Sequence, residues 1–217
     1  MNRNGGQKIK ILMWRFTPIE TWQFARDLQD ITGRLRLTGN GFHSFLVLLA
    51  KSSAALNAYV QAEESLTNGE LTPHQREQIA LAVAEINGSA YCLAVHEKSA
   101  REIGLSDAEI QSSRKASAND PKTQTLLHFV QAVVLQRGEV SDSDFSAIRQ
   151  AGFSDPEIVE VLANVGLNIF TNYFNILAQT EPDFPTLSSD KKTPSSGKDA
   201  SDKSRQKQTP AQPLSHP

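Results

Sequence analysis

The sequence predicts an all-α protein of about six to eight helices. Three observations predict it. Apolar residues recur at three- and four-residue intervals in one segment after another. Several segments open on Ser, Thr or Asp followed by Pro or an acidic residue, the chemistry of a capped helix start. Neither strand alternation nor a glycine-rich dinucleotide loop is found in the chain.

Taken in order, Met1 to Phe16 is a polar extension ending in a short apolar run, and no role is assigned to it. Thr17-Pro18 caps a first helix whose stripe is Trp22, Phe24, Ala25, Leu28 and Ile31. After the Thr38-Gly39-Asn40-Gly41 turn, one long helix is expected from Phe42 to about Leu66, stopped by Asn68-Gly69. Thr72-Pro73-His74-Gln75 opens the next with a capping box, and Gly88 ends it. A helix from Ser89 to about Ile103 follows, terminated by Gly104. Ser106, Asp120, Ser141 and Ser154 each begin another helix. The last, about Pro156 to Gln179, is apolar over most of its surface, which predicts burial in the core or in a subunit interface. Pro182 and Pro185 close the domain, expected to span 17–185. The tail from Thr186 to Pro217 is too polar to offset its ordering entropy and is expected to be disordered.

The bulk composition narrows the function. A chain of 217 residues with 39% hydrophobic content supports one domain with a core. A net charge of −2 gives no electrostatic footprint for nucleic acid. A single cysteine excludes an intrachain disulfide and fits a reducing compartment, so a cytoplasmic location is expected. No apolar run approaches the roughly 20 residues of a membrane span, and no partner membrane is expected.

That cysteine, Cys92, lies in the stretch from Glu85 to His96. Asn87-Gly88 breaks the preceding helix and makes Ser89 an N-cap, its hydroxyl accepting an orphan N–H. Cys92 then falls in the first turn, where the helix dipole favours the thiolate. His96 follows one turn later on the same face. Read by itself, a lone cysteine is more often a small buried hydrophobe than a nucleophile; the helix-start position and Glu77 bring the two readings level.

Tyr91-Cys92-Leu93-Ala94-Val95-His96 resembles the second half of the C-x-x-C-x-x-x-H motif of the alkylhydroperoxidase D-like, or carboxymuconolactone decarboxylase, family. Glu77 matches the family's glutamate fifteen residues before the second cysteine, and Asn172-Tyr173-Phe174-Asn175 with Asp183-Phe184-Pro185 resembles the close of a peroxidase-related branch. The resemblance covers roughly Thr17 to Pro185 and implies an AhpD-like helical domain. It departs at the first cysteine, where Ser89 stands. The family's activity implies a peroxiredoxin-type antioxidant protein acting on hydroperoxides, with an external thiol as reductant and no cofactor or metal. Cys92, His96, Glu77 and Ser89 would form its site, supported by Tyr91 and by Glu85 as the alternative carboxylate. A serine cannot resolve a sulfenic acid into a disulfide, so only a one-cysteine cycle is open. The alternatives are a carboxymuconolactone decarboxylase-like lyase and an oligomeric scaffold without redox activity. Family members assemble as trimers or hexamers, so a homo-oligomer is expected.

The relay carries a geometric condition. On one continuous helix Glu77 would stand about 22 Å from Cys92, so the chain must turn at Asn87-Gly88 for the two to meet. His43, His74 and His128 show no metal-ligand spacing; His74 is expected exposed and His128 in the core. Tyr59, Tyr173, Trp14 and Trp22 are expected in core or interface, and Asn172 and Asn175 at the site or at an interface.

Overall fold

The computed structural model describes Arg15, Phe16, Ile31 and residues 43–182. The expected helix over 17–33 lies outside the described residues apart from Ile31, as do the rest of the N-terminal extension, Asp183-Phe184-Pro185 and the tail. The described residues form eight helices and no strand. They are α1 (His43–Leu49), α2 (Ser53–Thr67), α3 (Pro73–Asn87), α4 (Ala90–Glu102), α5 (Asp107–Arg114), α6 (Pro121–Leu135), α7 (Asp142–Gln150) and α8 (Asp155–Ala178).

The helix starts follow from their caps. Thr72, Ser106 and Ser154 each close a capping box with Gln75, Glu109 and Glu157. Asp120 and Ser141 accept from the backbone N–H three residues on. The single helix expected over 42–66 is corrected to two. The chain leaves helical geometry between Leu49 and Ser53, and Ser52 recaps it by accepting from Ala55 N–H at 3.2 Å. The apolar period runs on across this break, so periodicity alone does not show it.

Helix α3 is the axis of the molecule. Seven consecutive residues, Gln78 to Ala84, are buried, and α4, α5, α6 and α8 all pack on it. Four of those residues are alanine or valine, small enough to let neighbours approach from every side. On one side Ile79 and Val83 join Leu126, Leu127, Val130, Ile148, Val161 and Val165. On another Ala84 joins Phe45, Leu46, Tyr59, Val60, Tyr91, Cys92 and Val95. Leu81 meets Ala100, Leu105 and Ile110 on a third.

Gly88 turns α3 into α4. Its φ of +69° is left-handed, and Ser89 N–H returns to Ala84 C=O at 3.0 Å, the closure of a Schellman-type end. A side chain at Gly88 would meet no neighbour, so the requirement for glycine is one of backbone conformation. Glu77 and His96 lie roughly 16 and 12 Å along their helices from this turn, near enough in height to meet once the helices fold back.

Helix α8 spans the core with 24 residues, and by length and composition it could cross a bilayer (mean hydropathy 1.2). This corrects the expectation that no apolar run comes near that length. Its amphipathicity runs inside out: Asn164, Asn172 and Asn175 are buried while Val159, Leu162 and Tyr173 are exposed.

Candidate active site

A cavity of about 400 Å³ opens between α2, α3, α4 and α8. Cys92 and His96 reach it from α4, Glu77 and Arg76 from α3, Tyr59 and Glu63 from α2, and Thr171 and Asn175 from α8. Each set follows helical spacing. Cys92 and His96 are one turn apart, as are Tyr59 and Glu63, and Thr171 and Asn175.

Of the six residues named from the sequence, four line this cavity: Cys92, His96, Glu77 and Tyr91. His96 Nδ1 and Glu77 Oε2 are 2.9 Å apart, so the geometric condition on the turn at Gly88 is met. Burial works against a charge on His96. The Glu77 carboxylate, by its charge and its hydrogen bond, and then Glu63 outweigh burial, and the imidazole's pKa is raised. Tyr91 is buried, and its hydroxyl accepts from Phe45 N–H at 3.4 Å, tying α1 to the start of α4.

The remaining two are corrected. Glu85 is turned out of the site and paired with Arg114 at 2.6 Å. Arg114 also holds the buried Glu97 at 2.8 Å, so the cluster fastens α5 to α3 and α4. Ser89 occupies the N-cap position, but its hydroxyl accepts no helix N–H. It is 1% exposed and lies against the Cys92 thiol.

Cys92 also differs from expectation. It is free and 4% exposed. Burial pushes its thiol above the ordinary 9.0, and the nearby Ser89, Asn172, Asn175 and Thr171 reduce that rise without cancelling it. A first-turn position was expected to favour the thiolate; desolvation of a buried sulfur is the larger effect.

Two features of the site, Glu63 and Tyr59, were not legible as functional, and Asn175 was legible only as belonging to the site or to an interface. Glu63 faces His96 and Glu77, and burial raises its carboxyl pKa against the pull of His96. Tyr59 stands one turn before it, 5% exposed, edge-on to Phe45 at 5.0 Å, and burial followed by Glu63 holds its phenol well above the ordinary range. Asn175 Nδ2 points to Cys92 Sγ at 3.5 Å. Beside it Asn172 Oδ1 accepts from Asn87 Nδ2 at 3.0 Å. The two asparagines thus belong to the site. Their signal was a buried amide on an apolar helix, which marks a partner without saying which.

His74 is exposed, as expected; His128 is also exposed, against the core position expected of it. Its helix α6 turns its apolar residues inward on both sides of that position. Tyr173 is 60% exposed, which leaves an interface and excludes the core of this chain. Among the described residues no three of His, Cys, Asp and Glu stand together as a metal-ligand set.

Residues 52–119 match the model of the carboxymuconolactone decarboxylase family. No curated protein matches the chain. Among solved structures, a protein of unknown function from Agrobacterium tumefaciens, proposed to be an antioxidant defence protein AhpD, is 26% identical. The match covers 63% of this chain and 95% of that one, with a TM-score of 0.58. An alkylhydroperoxidase AhpD core protein from Ralstonia eutropha JMP134, described as peroxidase-related and uncharacterized, is 19% identical. There the match covers 78% of this chain and 92% of that one, at a TM-score of 0.69. The debrominase Bmp8, solved with 2,3,4-tribromopyrrole, shares the fold at 13% identity, with 76% and 90% covered and a TM-score of 0.63. Residues 52–119 are thus similar to the carboxymuconolactone decarboxylase family, and the described helices share the all-helical fold of the AhpD core proteins.

Proposed function

We propose that the protein is a one-cysteine, thiol-dependent peroxidase acting on hydroperoxides, with Cys92 as nucleophile and His96–Glu77 as its proton relay. The observation that carries this reading is the shared cavity: the lone thiol opens onto the same space as an imidazole held at 2.9 Å by a carboxylate.

The chemistry balances as follows. Cys92 passes its proton to His96, and the thiolate attacks the outer oxygen of the hydroperoxide. An S–O bond forms as the O–O bond breaks. Sulfur is oxidised by two electrons, and the leaving alkoxide takes the proton from His96 to depart as an alcohol. An external thiol then attacks the sulfenic acid and releases water. A second thiol frees Cys92 and departs as a disulfide with the first. The external reductant is required because Ser89 supplies no second thiol. The reading includes a homo-oligomer and, from the single unpaired cysteine, a reducing compartment such as the cytoplasm.

Burial of Cys92 favours a second reading, a scaffold in which the sulfur is an inert part of the core. One experiment separates the two. Sulfenic acid formation at Cys92 is followed with a sulfenate trap against pH, with Cys92→Ser as blank. Saturable, hydroperoxide-dependent trapping supports the peroxidase. A cysteine no faster than a free thiol at every pH leaves the scaffold. Turnover of a muconolactone that survives in Cys92→Ser would instead establish the lyase.

A further inference from the structure

Among the described residues, five buried side-chain polar atoms have no hydrogen-bond partner. Three of them belong to the residues around Cys92: Ser89 Oγ, Asn172 Nδ2 and Asn175 Oδ1. Their side chains are 1%, 0% and 3% exposed. Ordinarily such groups are satisfied, because an unpaired buried donor or acceptor costs its full desolvation. The reduced thiol, a weak donor and a weak acceptor, leaves them short of a full hydrogen bond. Asn175 Nδ2 meets the sulfur at 3.5 Å, and Ser89 and Asn172 stand close enough to favour its ionised form, yet Ser89 Oγ and Asn172 Nδ2 reach no partner in full hydrogen-bond geometry.

The unpaired set is two donors and one acceptor, counting the Ser89 hydroxyl as a donor. A sulfenic acid presents an oxygen that accepts and an O–H that donates, the complement of that set. We infer that Ser89, Asn172 and Asn175 form a receiving cage for the oxygen that Cys92 acquires, so that the oxidised protein rests as a persistent Cys92 sulfenic acid. This rests on the peroxidase reading and names the species on which that cycle waits. Ser89 and Asn172 lie away from the cavity that admits the hydroperoxide, whereas Asn175 borders both. Rotation about the Cβ–Sγ bond carries the new oxygen from the cavity to the cage. There Ser89 and Asn172 donate to it and Asn175 Oδ1 accepts from it. The sulfur stays open to a thiol entering through the cavity. A second hydroperoxide finds its electron pairs drawn into hydrogen bonds, which slows conversion to the sulfinic acid. Ser89 therefore has a task in the place where the family motif carries its first cysteine: it holds the intermediate that a cysteine would resolve.

The test uses the full chain and cumene hydroperoxide as probe. One equivalent is added, excess is removed by desalting, and surviving sulfenic acid is trapped with dimedone at intervals and read by intact mass. Sulfinic acid formed on a second dose is read in the same way. Ser89→Ala and Asn172→Leu should each shorten the sulfenic acid lifetime, and speed its over-oxidation, by about tenfold, the scale of one lost hydrogen bond to a polarised group. Ser89→Thr keeps the hydroxyl and should restore the lifetime. The hydroxyl of Ser89 caps no helix N–H, so Ser89→Ala should fold even where Asn172→Leu does not. A sulfenic acid that forms in all variants with an unchanged lifetime would overturn the cage and leave the peroxidase reading standing. No sulfenic acid in the unmodified chain would overturn both.

Discussion

At the scale of single residues, the site rests on which proton is where. The thiol starts from 9.0 and the imidazole from 6.5, and both are raised. The reactive pair, thiolate with imidazolium, is then the minor tautomer of thiol with neutral imidazole. The rate of sulfenic acid formation should rise to a plateau with the ionisation of His96 and fall beyond that of Cys92. In Glu77→Gln the charge and the carboxylate hydrogen bond are lost while burial stays, so the His96 pKa must fall. The rising limb should move to lower pH and the plateau should drop about tenfold for each unit of that shift. A Glu77→Gln profile that overlays the unmodified one would remove Glu77 from the relay. Ser89→Cys makes a separate prediction. Residues three apart on a helix have Cβ atoms about 5–6 Å apart, close to what a disulfide spans after small adjustment. Peroxide treatment of this variant should yield an intrachain disulfide in place of the trapped sulfenic acid. A dimedone adduct that persists in it would show that the two sulfurs do not meet. Cys92, His96 and Glu77 were legible in the sequence because the motif spacing and one glycine turn determine their meeting. Glu63 was not, since beside Glu64 on a helix it reads as a solvated charge until the phase of α2 is known.

At the scale of elements, the caps were legible and the joins were not. Thr72, Ser106, Ser141 and Ser154 start helices where their hydroxyls predict, because a cap is a contact within four residues. The split at Ser52 and the fastening of α8 to the start of α3 depend on residues far apart in sequence. In that fastening, the Glu160 carboxylate accepts from Glu70 N–H at 2.9 and 2.8 Å and from Leu71 N–H at 3.2 Å. A Cβ at Gly69 would stand 2.5 Å from Glu160 Oε2. Gly69→Ala should push this carboxylate off both donors and cost about 1–2 kcal/mol, since charge-assisted bonds at a partly exposed site are worth that much. Glu160→Ala should cost a similar amount, but the two losses should not add. With the carboxylate gone, Gly69→Ala should be neutral or slightly stabilising, because alanine restricts the unfolded chain. Urea unfolding of the two single variants and the double variant measures this. Additive losses would mean that the clash and the bonds are unrelated.

At the scale of the whole molecule, α8 poses the remaining question. Its sequence showed that it is apolar nearly all round, but not which face turns inward. The structure buries the asparagines against Cys92 and leaves Val159, Leu162, Phe170, Tyr173 and Leu177 exposed. With Gly166 between Leu162 and Phe170, these positions are spaced by three or four residues and so share one face of the helix. Gly166 has open space around it, so another backbone can approach there closely. An exposed apolar stripe of this length is costly to leave in water and fits the homo-oligomer proposed above. The stripe contributes little to the chain's own core, so charging it should separate subunits without unfolding them. Sedimentation of the unmodified protein should give a multiple of 23.8 kDa, and Leu162→Glu with Tyr173→Glu should lower it to a single chain with its helical circular dichroism intact. Because the opposite face of α8 carries Asn175 against Cys92, loss of the seam should also change the Cys92 trapping rate if the assembly stiffens the helix. An unmodified protein that sediments as one chain at micromolar concentration would exclude this seam as the subunit interface.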